Sequence, residues 1–439
     1  MSGIAQLLLR RGFKVSGSDI KDGRTTEELR RLGAQVFIGH NRLNLQDADS
    51  VVYSSAIKED NPEMIEAKAR GITLLKRAQV LASLMTDKLV ITVAGSHGKT
   101  TITSLASCLL LEAGLSPTVA IGGILRNIET NAYLGEGRFF VAEADESDGS
   151  FLYYTPKYSI ITNIDREHLD YYKEFEKEIE AFREFLNKTA ADGCAFCCAE
   201  DMNLRNILKQ YKNRYVLFGL KEEAAIHPKN ITFNNLTSEF DCFYNNKFVD
   251  RFCLALGGEH NISNALSVIG LGLELGIDSG IIKKTLAGYK GAGRRLEIKF
   301  NEKGLMVIDD YAHHPTEIKA TLLAVRNLKQ NRIIAIFQPH RYSRTRLLLD
   351  DFSRSFDAVD YLVITDIYPA SELPLEGVNS ISLCDRIKER TPDKKVNFLP
   401  KEEIVEHILG IIKPGDLVIT LGAGDIVKVC DELVERLKR

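Results

Sequence analysis

The sequence contains no run of about 18 consecutive apolar residues, the length a helix needs to span a bilayer. Its start lacks the basic, then apolar, then small-residue order of a secretion signal. These two absences predict a cytoplasmic protein with no membrane partner. Excess positive charge is missing too: 57 Lys and Arg stand against 60 Asp and Glu, a formal charge of −3. A chain without a basic field is a poor match to nucleic acid as its main partner, although a local cationic patch for phosphates stays compatible. Metal-type cysteine spacing is absent as well. The eight cysteines are scattered, and Cys242 and Cys253 supply no second pair for the one cluster, Cys194, Cys197 and Cys198. "CAFCC" therefore reads as a buried strand of reduced thiols. There is no repeat of solenoid period and no low-complexity linker.

What is present is a chain of 439 residues, 44% hydrophobic and 27% charged, enough for full cores in about three domains. Up to residue 87, short strand-like runs ("AQVFIGH", "DSVVYSSAI", "ITLLKRA") alternate with helical ones ("RTTEELRRLG", "NPEMIEAKARG"), a βα pattern with a parallel sheet. The opening "MSGIAQLLLRRG" reads as a helix ending at Gly12, followed by a strand from Phe13 into Asp19, with no strand before the helix. A second strand–turn–helix series begins at "DKLVITVAGSHGKTT". From about 214 to 257, short runs beginning with "RYVLFG" and separated by Asn-rich breaks predict a small antiparallel insertion. A third βα series starts near Leu296.

"VAGSHGKTT" is the strongest local signal. An apolar strand feeds a turn holding Gly95, Ser96, His97 and Gly98, and Lys99, Thr100 and Thr101 open a helix. Glycines let backbone N–H groups approach phosphate oxygens, and the helix N-terminus adds partial positive charge. Lys99 places a cation on the β/γ-phosphates, and the Thr100 hydroxyl can ligate Mg²⁺. The loop is shorter than the usual phosphate loop, because Val93 stands where its first glycine belongs.

The next strand ends in "EADESDGSF", which crowds Glu143, Asp145, Glu146 and Asp148 together. Either water solvates these carboxylates or a cation lies among them, and their place one strand after a phosphate loop favours Mg²⁺. The strand after that ends "TNIDREHLDYY", with Asn163, Asp165, His168 and Asp170. Of the nine histidines, His40, His97, His168, His260, His313, His314 and His340 lie at strand ends or beside glycine-rich stretches, while His227 and His407 look incidental. In the third series, "DDYAHHP" carries Asp309, Asp310, His313 and His314, and "FQPHRYSRTR" carries His340, Arg341, Arg344 and Arg346. Cations at a helix start oppose its dipole, so an anionic ligand accounts for them better than a solvated face does.

In order and spacing, "MSGIA", "SGSD", "FIGH", "SSAI", "AGSHGKTT", "EADESDGSF", "TNIDREHLD", "HNISNA", "DDYAHHPTE", "FQPHRYSRT", "DIYPASE" and "LGAGD" resemble the Mur ligase family of peptidoglycan synthesis, over essentially the whole chain. Within it they most resemble the branch that adds L-alanine. The resemblance implies an α/β fold of three domains. Residues 1–87 form a Rossmann-like UDP-sugar domain without its first strand. Residues 88–294 form a P-loop ATP-binding domain with the antiparallel insertion, and 295–439 a Rossmann-like amino-acid domain. It implies ATP and Mg²⁺ as cofactors, UDP-N-acetylmuramate and L-alanine as substrates, and a monomer or weak homodimer. Lys99, His168, Arg344 and His313 are the implied catalytic residues. Thr100 and Glu143, with Glu146 in reserve, are implied to hold one Mg²⁺, and His168 a second. His260, Asn261, Asn264, Arg295 and Asp310 are implied nucleotide contacts. Tyr311, His313, His340, Arg341 and Arg344 are implied to form the amino-acid and acyl-phosphate pocket. Asp19 and His40 are implied to meet the uridine, and Ser54 and Ser55 the pyrophosphate side. Two departures stand out. Phe182, Arg183 and Phe185 occupy the stretch where several family members carry a carbamylated lysine, a lysine the alanine-adding branch also lacks. The family's glycine-rich turn before "MSGIA" has no counterpart in the sequence. The rival readings are a ligase that joins a whole peptide to the same sugar and a non-catalytic nucleotide-binding relic.

Overall fold

The computed structural model describes residues 1–328 and 330–439, and at Asp170 the backbone alone. They pack as two units. The first comprises Met1–His227, Phe243–Lys247 and Asn264–Thr285, the second Pro228–Cys242, Phe248–Ser263 and Leu286–Arg439.

In the first unit, helix α1 (Ser2–Arg10) buries Ile4 and Leu7 and ends on Arg10, a cation suited to a helix C-terminus. Strand β1 (Ser16–Asp19) starts later than the expected Phe13, whose ring is 59% exposed and has no core to join. Through α2 (Arg24–Arg31), β1 pairs in parallel with β2 (Gln35–Ile38). In the same way β3 (Ser50–Tyr53), α3 (Pro62–Ala69) and β4 (Thr73–Lys76) form a second parallel pair. Among the described residues the expected parallel sheet is thus two separate two-stranded ribbons. Helix α4 (Arg77–Leu84) joins its Ala78, Leu81 and Leu84 to the core that includes Ile4 and Leu7.

The main sheet of this unit is built from β5 (Leu89–Ala94), β6 (Thr118–Leu125), β7 (Thr130–Tyr133), β8 (Phe139–Glu143), β9 (Tyr158–Ile161), β10 (Cys194–Cys198) and β11 (Tyr215–Phe218). Its order is β11-β10-β9-β5-β8-β6-β7, parallel except for the β6–β7 pair. Helix α5 (Lys99–Glu112) follows β5. After β9 come the short α6 (Leu169–Tyr172) and then α7 (Phe175–Asn187). β5 is covered on both faces, which is why "LVITVA" reads as an unbroken apolar run. Its carboxyl end lies between those of β8 and β9, so the turns that follow these three strands share one edge. Cys194 and Cys197 are fully buried in β10, and burial pushes the Cys194 thiol up to about 11.

One expectation needs correcting. "RYVLFG" is β11, in parallel register with β10, and so belongs to the main sheet. The insertion begins at β12 (Ile226–Asn234) and continues through β13 (Thr237–Tyr244) and β14 (Lys247–Leu254). Asn245 and Asn246 join the last two with φ values of 48° and 62°, the backbone a two-residue hairpin requires. Helix α8 (Met202–Leu208) connects β10 to β11, and α9 (Glu259–Glu274) and α10 (Ser279–Ala287) follow the insertion.

The second unit holds a six-stranded sheet ordered β15-β16-β20-β17-β18-β19. Its strands are β15 (Glu297–Glu302), β16 (Leu305–Asp310), β17 (Arg332–Phe337), β18 (Tyr361–Ile364), β19 (Lys395–Phe398) and β20 (Asp416–Leu421). The third series opens on a hairpin, because β15 runs antiparallel to β16, and the other pairs are parallel. Helix α11 (Pro315–Arg326) follows β16 and α12 (Tyr342–Leu347) follows β17. No described helix is long and apolar enough to cross a membrane.

Candidate functional site

The loop after β5 is fixed from the neighbouring strand end. The Ser96 N–H donates to Asn163 O at 3.0 Å and the His97 N–H to Asn163 Oδ1 at 2.8 Å. Thr162 Oγ1 donates to His97 O at 2.6 Å, and the Asp165 N–H to Ser96 Oγ at 2.8 Å. Gly95 and Gly98 have φ values of 126° and 88°, a region that costs a side-chain-bearing residue free energy. A Cβ at Gly98 would also meet Asn264 Oδ1 at 2.8 Å, which places Asn264, an expected nucleotide residue, against the loop. Thr101 is buried in the first turn of α5.

Lys99 lies across this loop. Its Nζ donates to Gly95 O at 2.6 Å, to Ser96 O at 3.2 Å and to Glu146 Oε1 at 2.7 Å. Burial opposes its charge, but Glu146, with Asp145 behind it, outweighs burial and holds the ammonium above its ordinary range. The acidic turn separates by role. Asp145 and Asp148 accept from Ser147 N–H and Ser150 N–H, both at 3.0 Å, and so shape the turn. Glu143 reaches the other way and accepts from Gly122 N–H at 2.9 Å. A Cβ at Gly122 would lie 2.7 Å from Glu143 Oε2, and one at Gly123 3.1 Å from Thr100 Cγ2. Two adjacent strand glycines thus make room for both expected Mg²⁺ ligands, Thr100 and Glu143. Adjacent glycines inside a strand signal close approach, and "AIGGI" carried that signal unread.

His168 has a left-handed backbone conformation with φ 53°. Its Nε2 lies 3.6 Å from Glu146 Oε1 and 3.6 Å from Glu167 Oε2. Glu167 carries no expected role from the sequence, and neither does Glu178 on α7, which is fully buried. Burial, then Glu146 and Glu167, pushes the Glu178 carboxyl up to about 9. The side chain of Asp170 is outside the described residues.

At the strand ends of the N-terminal ribbons, Ser18 Oγ lies 2.8 Å from Glu63 Oε2 and 2.9 Å from His40 Nδ1. Glu63 also accepts from Asn44 Nδ2 at 2.7 Å and from Asn41 N–H at 3.2 Å. Ser18 has one proton, and it goes to the carboxylate, so His40 Nδ1 carries its own proton and donates to Ser18. Asp19 is exposed at the end of β1, and Ser54 and Ser55 sit in the turn after β3.

In the second unit, Asp310 is occupied within the fold: it accepts from Leu296 N–H at 2.7 Å and Ala312 N–H at 2.8 Å. Burial pushes its carboxyl up to about 6. Asn261 is likewise internal, donating to Gly257 O at 2.8 Å. Burial and the nearby Arg295 guanidinium lower His260 to about 4, so it is neutral at pH 7. The Arg294 and Arg295 guanidiniums lie 5.2 and 5.1 Å from the Tyr311 ring centre. Arg294, unremarked in the sequence, also bonds Asp309 at 2.8 Å and Gly422 O at 2.6 Å. His313 Nδ1 faces Tyr311 O at 3.1 Å and Glu317 Oε2 at 3.2 Å. The His313 and His340 rings meet edge to face at 5.5 Å, and His340 stacks on Tyr368 at 5.6 Å. Arg344 lies 3.1 Å from His340 Nδ1, and Arg341 turns the chain with φ 69°. The implied pocket residues Tyr311, His313, His340, Arg341 and Arg344 are therefore neighbours, with Tyr368 and Glu372 beside them; Glu372 accepts from Ser343 N–H at 3.0 Å. His314 instead caps α11.

Three family models match the chain in succession: "Mur ligase family, catalytic domain" over residues 1–89, "Mur ligase middle domain" over 93–272 and "Mur ligase, glutamate ligase domain" over 294–424. A UDP-N-acetylmuramate–L-alanine ligase from Geotalea uraniireducens is 45% identical over 439 residues, covering 100% of this chain and 96% of its own. One of the same name from Syntrophus aciditrophicus is 44% identical, covering 100% and 91%. Among solved structures, a UDP-N-acetylmuramate-alanine ligase from Thermotoga maritima superposes with TM-score 0.85 at 28% identity, covering 100% of this chain and 96% of that one.

Proposed function

The chain belongs to the Mur ligase family, and from that premise we propose that it joins L-alanine to the lactyl carboxylate of UDP-N-acetylmuramate, converting ATP to ADP and phosphate. It is a ligase of peptidoglycan synthesis. The observation that carries this reading is the Gly95–Thr101 loop with Lys99, set between an acidic strand end and His168, in a chain 45% identical end to end to a ligase of that name.

The chemistry asks for positioning and charge neutralisation rather than a protein nucleophile. The lactyl carboxylate attacks the γ-phosphorus, ADP leaves, and an acyl phosphate results. The alanine amine then attacks the acyl carbon and phosphate leaves. Lys99 balances charge on the β/γ-phosphates, and the backbone N–H groups of the loop and the start of α5 orient them. Thr100 and Glu143 would hold Mg²⁺, which neutralises phosphate charge when bound, and His168 a second ion. Tyr311 O and Glu317 keep the His313 proton on Nδ1, so Nε2 is the acceptor for a proton from the alanine ammonium. Arg341 and Arg344 supply cations for the acyl phosphate and the alanine carboxylate. His260, Asn261, Asn264, Arg295 and Asp310 shape the nucleotide side. Residues 1–87, 88–294 and 295–439 divide the work among UDP-sugar, ATP and amino acid. The reading places the protein in the cytoplasm, as a monomer or weak homodimer without nucleic-acid or membrane partners.

Release of ADP should be fast with UDP-N-acetylmuramate plus L-alanine and slow when a tripeptide replaces L-alanine. Preference for the tripeptide would assign the chain to the peptide-joining reaction instead. ATP binding with neither product would make it a non-catalytic binder. A second expectation concerns His40. In Glu63→Ala, Ser18 loses its acceptor and the His40 tautomer is no longer set. The KM for UDP-N-acetylmuramate should rise about tenfold, the equivalent of one lost hydrogen bond to a charged group, with kcat little changed. Steady-state kinetics at saturating ATP and L-alanine read this directly.

A further inference from the structure

The loop that carries His340, Arg341 and Arg344 is held by a second loop, residues 366–372, after β18. Arg341 precedes the short helix α12, and Arg344 and Arg346 lie within it. Cations at a helix start oppose its dipole, and a carboxylate there offsets them. Glu372, half-buried, supplies that carboxylate: it accepts from Ser343 N–H at 3.0 Å and from Ser343 Oγ at 2.5 Å. Ser343 is the second residue of α12, so its N–H is one of the donors a helix leaves unpaired at its start. The two loops are also zipped by main chain. Arg341 N–H donates to Tyr368 O and Tyr368 N–H to Pro339 O, both at 2.8 Å. The Tyr368 ring lies nearly parallel to that of His340, at 11°. The turn that delivers Glu372 is strained. Ala370 and Ser371 have φ values of 47° and 72°, and Arg341 on the facing loop has 69°. Residues with side chains adopt this left-handed backbone at a cost in free energy, and it persists where the surrounding structure fixes it.

We propose that Glu372 is a positioning residue for the amino-acid pocket: its hold on Ser343 fixes the start of α12, and through it the Arg344 guanidinium and the His340 ring. Both carboxylate oxygens are engaged by Ser343, so Glu372 acts through the loop and not on a substrate. Arg344 follows Ser343 directly, and its guanidinium lies 3.1 Å from His340 Nδ1, so a shift of Ser343 reaches both. Tyr368, on the same loop as Glu372, backs the His340 ring from the other side of the contact. The purpose of this arrangement rests on the ligase reading, in which Arg341 and Arg344 meet the alanine carboxylate and the acyl phosphate. The placement of His340 does not.

Two measurements on the full-length protein test this. In Glu372→Ala the KM for L-alanine should rise about tenfold or more, while the KM for UDP-N-acetylmuramate and the calorimetric ATP affinity stay within about twofold of wild type. Ser343→Ala removes one of the two bonds. It should raise the KM for L-alanine by a smaller factor, and raise it no further when added to Glu372→Ala. The second measurement needs no substrate. In protein carrying ¹³C-labelled histidine, with the His340 signal assigned through His340→Gln, Glu372→Ala should move that signal towards the position of an unstacked histidine. A purely structural role would instead lower the melting temperature and weaken all three substrates alike, and would overturn the proposal. An unchanged KM for L-alanine, or an unchanged His340 signal, in folded Glu372→Ala would overturn it too. If Glu372→Ala shows no cooperative melt, Ser343→Ala carries both comparisons on the same criteria. Failure of the ligase reading would appear separately, as absence of product from wild type with all substrates, and the His340 signal would still decide whether Glu372 places the loop.

Discussion

Lys99→Ala is expected to lower kcat/KM for ligation by at least about 10³-fold, the loss of about 4 kcal/mol of charge stabilisation in the transition state. Product release measured with saturating UDP-N-acetylmuramate and L-alanine is the readout, and unchanged turnover would reject the phosphate-loop assignment. The geometry adds a second expectation. Lys99 Nζ is 2.7 Å from the carboxylate of Glu146, which is fully buried. Removing one member of a buried pair leaves the other charge without compensation, a loss of roughly 3 kcal/mol or more. Lys99→Ala should therefore also melt lower than wild type. The double variant Lys99→Ala/Glu146→Gln should recover stability, because the stranded charge is gone, and should recover no activity. That divergence separates a phosphate-binding lysine from one that only supports the fold, for which stability and activity would return together.

Gly95→Ala should be comparably severe by a steric route. A Cβ at this position would lie 2.1 Å from Thr162 Oγ1 and 3.0 Å from Asn163 N and O, on a backbone with φ 126°. Two of these atoms are main chain, and Thr162 Oγ1 is already committed to His97 O at 2.6 Å. The only relief is to push the end of β5 away from the end of β9, which breaks the bonds that hold Ser96 and His97. ATP affinity should fall by about 10² or more, on the order of 3 kcal/mol, with a lower melting temperature. Gly410→Ala is the control. It lies in the helix Ile404–Ile411 with no atom within 4 Å of its added Cβ, and should be neutral or slightly stabilising. ATP binding by calorimetry, normal in Gly95→Ala, would show that the loop does not need this turn.

The parts of the site legible in the sequence were those encoded by adjacent residues. "GSHGKTT" states its own chemistry through glycine, lysine and threonine at fixed spacing, and "DDYAHHP" and "HRYSRTR" bring their donors with them. What stayed hidden depends on direction. Four acids in "EADESD" look alike in a string, yet two shape their own turn, Glu143 faces β6 and Glu146 faces Lys99. Glu178 sits in a helix rich in charge, and only the packing of α7 turns it inward. Glu63 lies far along the chain from the Ser18 and His40 it orients, and no local pattern announces it. The fold shows the same division. Strand and helix types followed from periodicity, whereas the parallel pairing of β11 and the split of the N-terminal strands into two ribbons are long-range outcomes.

The pairing of β5 with strands made after it has a consequence during synthesis. Lys99 leaves the ribosome before the atoms that shape its loop exist. Asn163, which fixes Ser96 and His97, follows His97 by 66 residues, a delay of roughly 3–13 seconds at about 5–20 residues per second. Asn264, packed against Gly98, comes later still. Until both have emerged, the nascent chain carries the Gly95–Thr101 sequence without the bonds that fix its loop.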